Sequence, residues 1–282
     1  MTSAGSTAVE LAPQHKLGLA LTNPILLACG VIGYGDAQPL GLDLSRLGGF
    51  VTAPVTRRPV HGQPPQLVEV PGGLLWQRGR WNPGIRNVLR DHAALWRRSP
   101  APVIVHIAGD EPDELAAVAE AIEQTPGVAG LEIDLFTMQL DSIFDMADTA
   151  AEQVKAVRRA ADLPLLARLP LGLIDEAIEP VLDAGVDALV LAQPPAGLRL
   201  DPNTSVTVRG GMHGPALTPQ IAARLAELAG WVGVPLVACG GVHSLEDALT
   251  YLAVGAKAVQ IDTAVWVDPG LPGRIAAALA GS

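Results

Sequence analysis

No stretch of this chain is apolar over the roughly 20 residues that a membrane-crossing helix needs. Its longest apolar runs, such as Ile25–Cys29, stop far short of that. Basic residues are scarce as well. The 19 Lys and Arg stand against 29 Asp and Glu, a formal charge of −10, and no dense basic run could track a phosphate backbone, which excludes nucleic acid as an expected partner. Cysteine is nearly missing. Cys29 and Cys239 each end an apolar run, where a small buried thiol is the ordinary occupant, and two cysteines are too few to ligate an iron–sulfur cluster within the chain. No metal site is read. The opening MTSAGSTAVELAPQ has neither the basic start nor the continuous apolar centre of a secretory signal, so the expected location is cytoplasmic.

What is present is an apolar, glycine-rich and proline-rich chain of 282 residues, 49% hydrophobic, with its 30 glycines and 24 prolines spread between short apolar runs. These runs are Pro24–Cys29, Phe50–Val55, Pro102–Ile107, Gly130–Leu135, Pro164–Leu169, Ala188–Ala192, Pro235–Cys239 and Ala258–Ile261. Their hydrophobicity is nearly continuous, as expected for parallel strands covered on both faces. Segments of helical spacing lie between most of them: Pro112–Gln124, Asp148–Ala161, Ile174–Ala184, Pro219–Trp231 and Ser244–Val254. The alternation predicts an α/β fold, a single (β/α)8 TIM barrel, with an open doubly wound sheet as the alternative. Residues 1–16 are expected as a loose N-terminal extension and 17–282 as the barrel domain. The stretch Arg57–Asn87 is expected as a long irregular loop, of the kind that commonly carries function.

Barrels of this type place their sites at the C-terminal ends of the strands, with phosphate often bound after the seventh and eighth. The seventh run ends in Cys239-Gly240-Gly241-Val242-His243-Ser244, where glycines permit close backbone approach and Ser244 can cap a helix. The eighth ends in Gln260-Ile261-Asp262-Thr263-Ala264. A further glycine pair, Gly210-Gly211, precedes Met212-His213-Gly214-Pro215. In this order the three segments read as a phosphate cradle built on Gly211, Gly240, Gly241 and Thr263.

From about Leu17 onward the chain resembles the dihydroorotate dehydrogenase family, collinearly. The resemblance runs through Leu21-Thr22-Asn23-Pro24, Ala28-Cys29-Gly30, Gly33-Tyr34-Gly35, Val51-Thr52, Val70-Pro71-Gly72-Gly73, Asn82-Pro83-Gly84, Ile107-Ala108-Gly109, Gly214-Pro215-Ala216, Gly240-Gly241 and Gln260. It is closest to the soluble forms, particularly the one that works with an iron–sulfur electron-transfer subunit. The resemblance implies FMN across the barrel mouth, touching Ala28, Cys29, Gly30, Thr52, His106 and Arg168, with its phosphate on the glycine turns. It also implies a small-molecule ligand at the mouth and either a homodimer or a partner dehydrogenase subunit.

Where the family's motifs carry the chemistry, this sequence departs. The family's Asn-x-Ser-Cys-Pro-Asn after the fourth strand corresponds to Asp134-Leu135-Phe136-Thr137-Met138-Gln139, so Thr137 replaces the catalytic cysteine. Four asparagine positions that hold orotate correspond to Trp76, Asp134, Gln139 and Gln193. Ala53 and Arg168 replace two lysines, and Asp262 stands where soluble members have glycine. Arg168, with Thr137 as a candidate base, is assigned the catalytic role, and Trp76, Arg78, Asn82, Asp134, Gln139 and Gln193 the substrate contacts. Trp76 and Arg78 read equally as a surface for a planar or anionic ligand and as a packed lid. The expectation is an FMN-dependent oxidoreductase on a substrate other than dihydroorotate; the alternative is a catalytically inactive homologue, a pseudoenzyme, with a binding or assembly role.

Overall fold

Each of the eight apolar runs becomes a parallel strand in the computed structural model, which describes residues 7–62, 65–77, 81–135, 143–172, 175–200 and 206–281. In chain order the barrel strands are Ile25–Leu27, Gly49–Val51, Val103–Ile107, Val128–Asp134, Leu165–Pro170, Ala188–Gln193, Leu236–Cys239 and Ala256–Ile261. They pair with sequence neighbours all the way round, and the eighth closes on the first through Val259 beside Ile25 and Ile261 beside Leu27. Closure leaves no barrel strand with an unpaired edge and explains why nearly every strand residue is buried.

The covering helices follow from apolar spacing and from their ends. Helix Pro112–Glu123 begins with proline at its first position and has Asp113 and Glu114 in its first turn, where acidic groups face the positive end of the helix dipole. It buries Leu115, Val118, Ala119 and Ile122, a stripe of helical period. Helix Leu245–Ala253 is capped by Ser244, whose Oγ accepts from the Asp247 amide at 3.1 Å. Asp247 in return accepts from the His243 amide at 2.9 Å. This helix start is thereby satisfied by its own residues, leaving the glycine turn before it as the feature open to a ligand.

Three regions differ from the sequence expectation: the long loop, the Gly210-Gly211 segment and residues 7–16, which were expected to be loose. Residues expected as an irregular loop contain a hairpin, Gln66–Val70 and Gly73–Gln77, followed by helix Ile85–Trp96. The hairpin joins Ala196–Leu200 and Thr207–His213 in a separate four-stranded antiparallel sheet. The Gly210-Gly211 pair therefore lies within a strand and not in a turn. Gly211 is glycine because a Cβ there would lie 2.5 Å from Pro194 Cγ, and one at Gly210 would lie 2.5 Å from the Trp76 backbone. One face of this sheet buries Val68, Leu75 and Val208 in a small core of its own. Its other face turns Trp76 and His213 toward the barrel mouth, where Trp76 meets Trp266 edge-on with ring centroids 4.7 Å apart.

Near the N-terminus, Val9–Glu10 pairs with Ala20–Leu21, and Leu11 and Ala12 are fully buried. Glu10 Oε1 accepts from the Ala12 and Leu19 amides at 2.7 and 2.5 Å, which fixes this ribbon across the barrel's N-terminal end. Among the described residues no helix is long and apolar enough to cross a membrane.

Candidate active site at the barrel mouth

A strand with both faces covered normally carries no charge, yet the third, fourth and fifth strands place His106, Glu132, Asp134 and Arg168 in the lumen. Register brings them together: His106 lies beside Glu132, and Asp134 beside Arg168. Glu132 and Asp134 are two residues apart and so share one face of their strand. The two carboxylates alternate with the two cations. His106 Nδ1 is 3.2 Å from Glu132 Oε1, and Nε2 is 3.1 Å from Asp134 Oδ2. Arg168 reaches Glu132 Oε1 with Nη1 at 3.4 Å and Asp134 Oδ1 with Nε at 3.2 Å. From the far side of the lumen Gln260 Nε2 donates to Glu132 Oε2 at 2.6 Å. Thr52 Oγ1 accepts the His106 amide at 3.1 Å, and Arg168 Nη1 lies 3.6 Å from Cys239 Sγ.

The charge states follow from these neighbours. Burial alone pushes His106 toward neutrality, but the Cys29 sulfur and the Asp134 carboxylate outweigh it and hold its pKa well above the ordinary value. Burial alone would raise Glu132; the hydrogen bond from His106 and the charge of Arg168 reverse this and keep it ionised below its ordinary range. Burial likewise opposes the Arg168 charge, and Cys239, Asp134 and Glu132 hold the guanidinium charged. The cluster is thus an imidazolium and a guanidinium neutralised by two carboxylates. Glu132 is fully buried, whereas the Asp134 side chain retains 21% exposure. Asp134 is the member of the cluster that a ligand at the mouth can touch.

The second part of the mouth lies beyond the seventh and eighth strands. Gly240 and Gly241 both adopt left-handed φ, +89° and +77°, which other residues rarely adopt. Tyr251 donates its hydroxyl to Gly240 O at 3.0 Å, and Thr218 to Gly241 O at 2.8 Å, fixing the turn from behind. A small cavity beside it is lined by Cys239, Gly240, Gly241, His213 and Asp262. Asp262 faces into this cavity, with Oδ2 hydrogen-bonded to His213 Nδ1.

Of the residues singled out from the sequence, Ala28, Cys29, Thr52, His106, Arg168 and Thr263 are buried at the C-terminal ends of strands or just past them, and Gly30 follows with φ +76°. Trp76 packs against His213 and Trp266. Asn82 does not present its amide to the mouth: Nδ2 donates to Pro54 O, and Oδ1 accepts from the Gly84 amide at 2.8 Å, so its polar atoms hold the loop. Gln193 closes the sixth strand opposite Pro170. Thr137, Gln139 and Arg78 lie outside the described residues. Sequence reasoning missed Glu132 as the centre of the cluster and His213 as the partner of Asp262. The first had a signal, two acids at strand spacing inside an apolar run; the second had none, because its strand read as a turn.

The dihydroorotate dehydrogenase family model matches residues 12–281. The catalytic subunit of dihydroorotate dehydrogenase B (NAD+) from Pelobacter propionicus is 34% identical over 270 residues, covering 92% of this chain and 89% of that protein. The corresponding subunit from Geobacillus kaustophilus is also 34% identical, over 266 residues, covering 89% of this chain and 84% of the relative. Among solved structures, a dihydroorotate dehydrogenase from Eimeria tenella in complex with ferulenol superposes with a TM-score of 0.77 at 17% identity, over 96% of this chain and 83% of that one, a likeness of fold.

Proposed function

The chain belongs to the dihydroorotate dehydrogenase family, and on that premise we propose that it is an FMN-dependent oxidoreductase acting on a substrate other than dihydroorotate. The family's cofactor fits the residues present. Among the described residues an added Cβ would meet Asp262 Oδ2 at 3.9 Å at Gly240 and the Ala53 backbone at 3.8 Å at Gly30, so neither glycine is packed tightly against a neighbour. Arg168 supplies a fixed positive charge in the lumen below, and Gln260 Oε1 is buried without a hydrogen-bond partner among the described residues. Gly30, Gly240, Gly241 and Thr263 would hold the cofactor along the mouth. FMN, when bound, supplies the acceptor for a hydride.

The observation that carries the substrate reading is the Asp134 carboxylate, partly exposed at the end of the fourth strand and backed by two cations. A carboxylate there repels the carboxylate of dihydroorotate and accepts hydrogen bonds from a ligand's N–H or O–H groups. His106 donates from Nε2 to Asp134 and fixes its orientation, so that a proton taken from a ligand would rest on the Asp134 carboxylate itself. Arg168 fixes the second carboxylate oxygen. Substrates with a donor group or a positive charge beside the carbon to be oxidised suit this arrangement.

The test is the visible spectrum of the freshly purified chain, followed by anaerobic addition of dihydroorotate. A flavin spectrum that dihydroorotate leaves oxidised is the expected result. Bleaching by dihydroorotate would overturn the substrate reading, and a colourless protein that takes up no added FMN would overturn the flavoprotein reading.

A further inference from the structure

Charge is distributed very unevenly along this acidic chain. Residues 57–98 carry eight arginines, no lysine and two acidic residues, whereas the rest of the chain carries eleven basic and 27 acidic ones. The arginines are spread over that segment, and folding gathers four of them. Val60 and Asn82 exchange backbone hydrogen bonds of 2.8 and 2.9 Å, and the Ile85 amide donates to Thr56 O at 2.8 Å, so residues 56–60 run along the start of helix Ile85–Trp96. A Cβ at Gly84 would lie 2.7 Å from Pro59 N, which shows how closely the two segments press together. Arg57 and Arg58 thereby flank the helix start, with Arg86 in its first turn and Arg90 one turn further along the same face. All four are exposed. Trp81, 63% exposed, adjoins them beside the Val60–Asn82 bridge. The patch borders the barrel mouth, because Val55, two residues before Arg57, is bridged to Ile107 at the end of the third strand.

Little within the chain answers this charge. Arg90 is paired with its neighbour Asp91 at 2.7 Å, but Arg57, Arg58 and Arg86 make no ion pair with a described residue. Helix Ile85–Trp96 has no acid in its first turn, so Arg86 adds charge to the end where the helix dipole is already positive, the reverse of Asp113 and Glu114 in helix Pro112–Glu123. The arrangement costs the fold stability.

We propose that this rim of the mouth is a docking surface for an acidic segment of a partner protein. At physiological salt, charges act over about 8 Å, and the rise from Arg86 to Arg90 is about 6 Å. The arginines therefore act together on a group of carboxylates, while the more distant acids of the chain are screened. Guanidinium groups pair with carboxylates through two parallel hydrogen bonds, and arginine with an exposed tryptophan, in the absence of lysine, is the composition of protein interfaces. A membrane or a nucleic acid presents a broad negative surface, which the 27 acids elsewhere on this chain repel. The docking surface is independent of the flavin.

The full chain as purified is titrated into a fluorescein-labelled oligoglutamate peptide, with anisotropy followed at low and at physiological salt. Despite its formal charge of −10 the chain should bind the peptide, more weakly as salt rises. Arg57→Glu with Arg58→Glu, and Arg86→Glu with Arg90→Glu, should each weaken binding at least about tenfold, and Trp81→Ala about fivefold. Lys155→Glu with Lys257→Glu, an equal change of charge at exposed positions elsewhere, should leave it unaltered. Arg86→Glu should also hold or raise the thermal midpoint, since an acid suits the first turn of a helix; a fall would mean that the arginine serves the fold and would overturn the proposal. So would a chain that binds no peptide, or reversals without effect. Tighter binding of phosphatidylserine vesicles or of a single-stranded RNA at physiological salt assigns the rim to that occupant instead. A dimer that Arg86→Glu with Arg90→Glu converts to monomers in sedimentation assigns it to a second copy of the chain, and either result overturns the acidic partner.

Discussion

The lumen cluster and the glycine turn after the seventh strand lie side by side at the same mouth, and both bury polar partners, but they bury them differently. In the lumen each carboxylate meets both cations, and Glu132 also accepts from Gln260 across the barrel. At the glycine turn Asp262 pairs with His213 next to a small cavity. Charges with several partners are held in place by all of them, and removing one strands the others in a medium of low dielectric. The difference divides the mouth into a ring of shared partners and a pair beside a cavity.

The comparison is broken most directly at Glu132. Glu132→Ala leaves His106, Arg168 and Gln260 without their shared acceptor and should lower stability by about 3–5 kcal/mol, read from urea unfolding. A loss no greater than that of Asp262→Asn would mean that the two regions do not differ in kind. A second effect is expected from pH. His106, with its pKa raised above 6.5, stabilises the fold fully below that pH and progressively less as pH climbs through its folded value. Glu132, held below 4.5, contributes above that value and loses its contribution as pH falls. The lumen should therefore be most stabilising between these two values, and His106→Gln should flatten the alkaline side of the unfolding profile; an unchanged alkaline limb would remove His106 from the account. The smallest effect is expected behind the glycine turn. Tyr251→Phe removes one donor to Gly240 O and should reduce stability by about 1 kcal/mol, with FMN affinity nearly preserved. A large loss of FMN affinity would show that the turn depends on this hydroxyl more than on its glycines.

Much of this could be read before the fold was known. The strands were legible because a parallel barrel covers both faces of each strand, which leaves a nearly unbroken apolar run in the sequence. Helix Ile85–Trp96 was not, since it fully buries only Ile85, Val88 and Trp96, and its charged residues are mixed with a half-buried Leu89 and an exposed Leu95 that blur the apolar stripe. The antiparallel sheet was hidden for a different reason. Its strands come from two segments more than a hundred residues apart, and Gly210-Gly211 carries the same composition in a tight strand as in a turn. At the site, His106, Asp134 and Arg168 stood out singly as replacements for expected residues, but nothing in their spacing said that they neutralise one another.

By itself, then, the sequence determined the barrel, its eight strands and its kinship, because burial of apolar surface is nondirectional and leaves a periodic record along the chain. Only the tertiary structure decided how the mouth is charged. Gln260 and Glu132 are 128 residues apart and meet at 2.6 Å across the lumen, and Asp262 meets His213 only because a separate sheet turns one strand over the eighth. Hydrogen bonds and ion pairs act over a few ångströms and depend on direction. Which charges meet is a property of strand register and closure, quantities that exist only once the chain has folded.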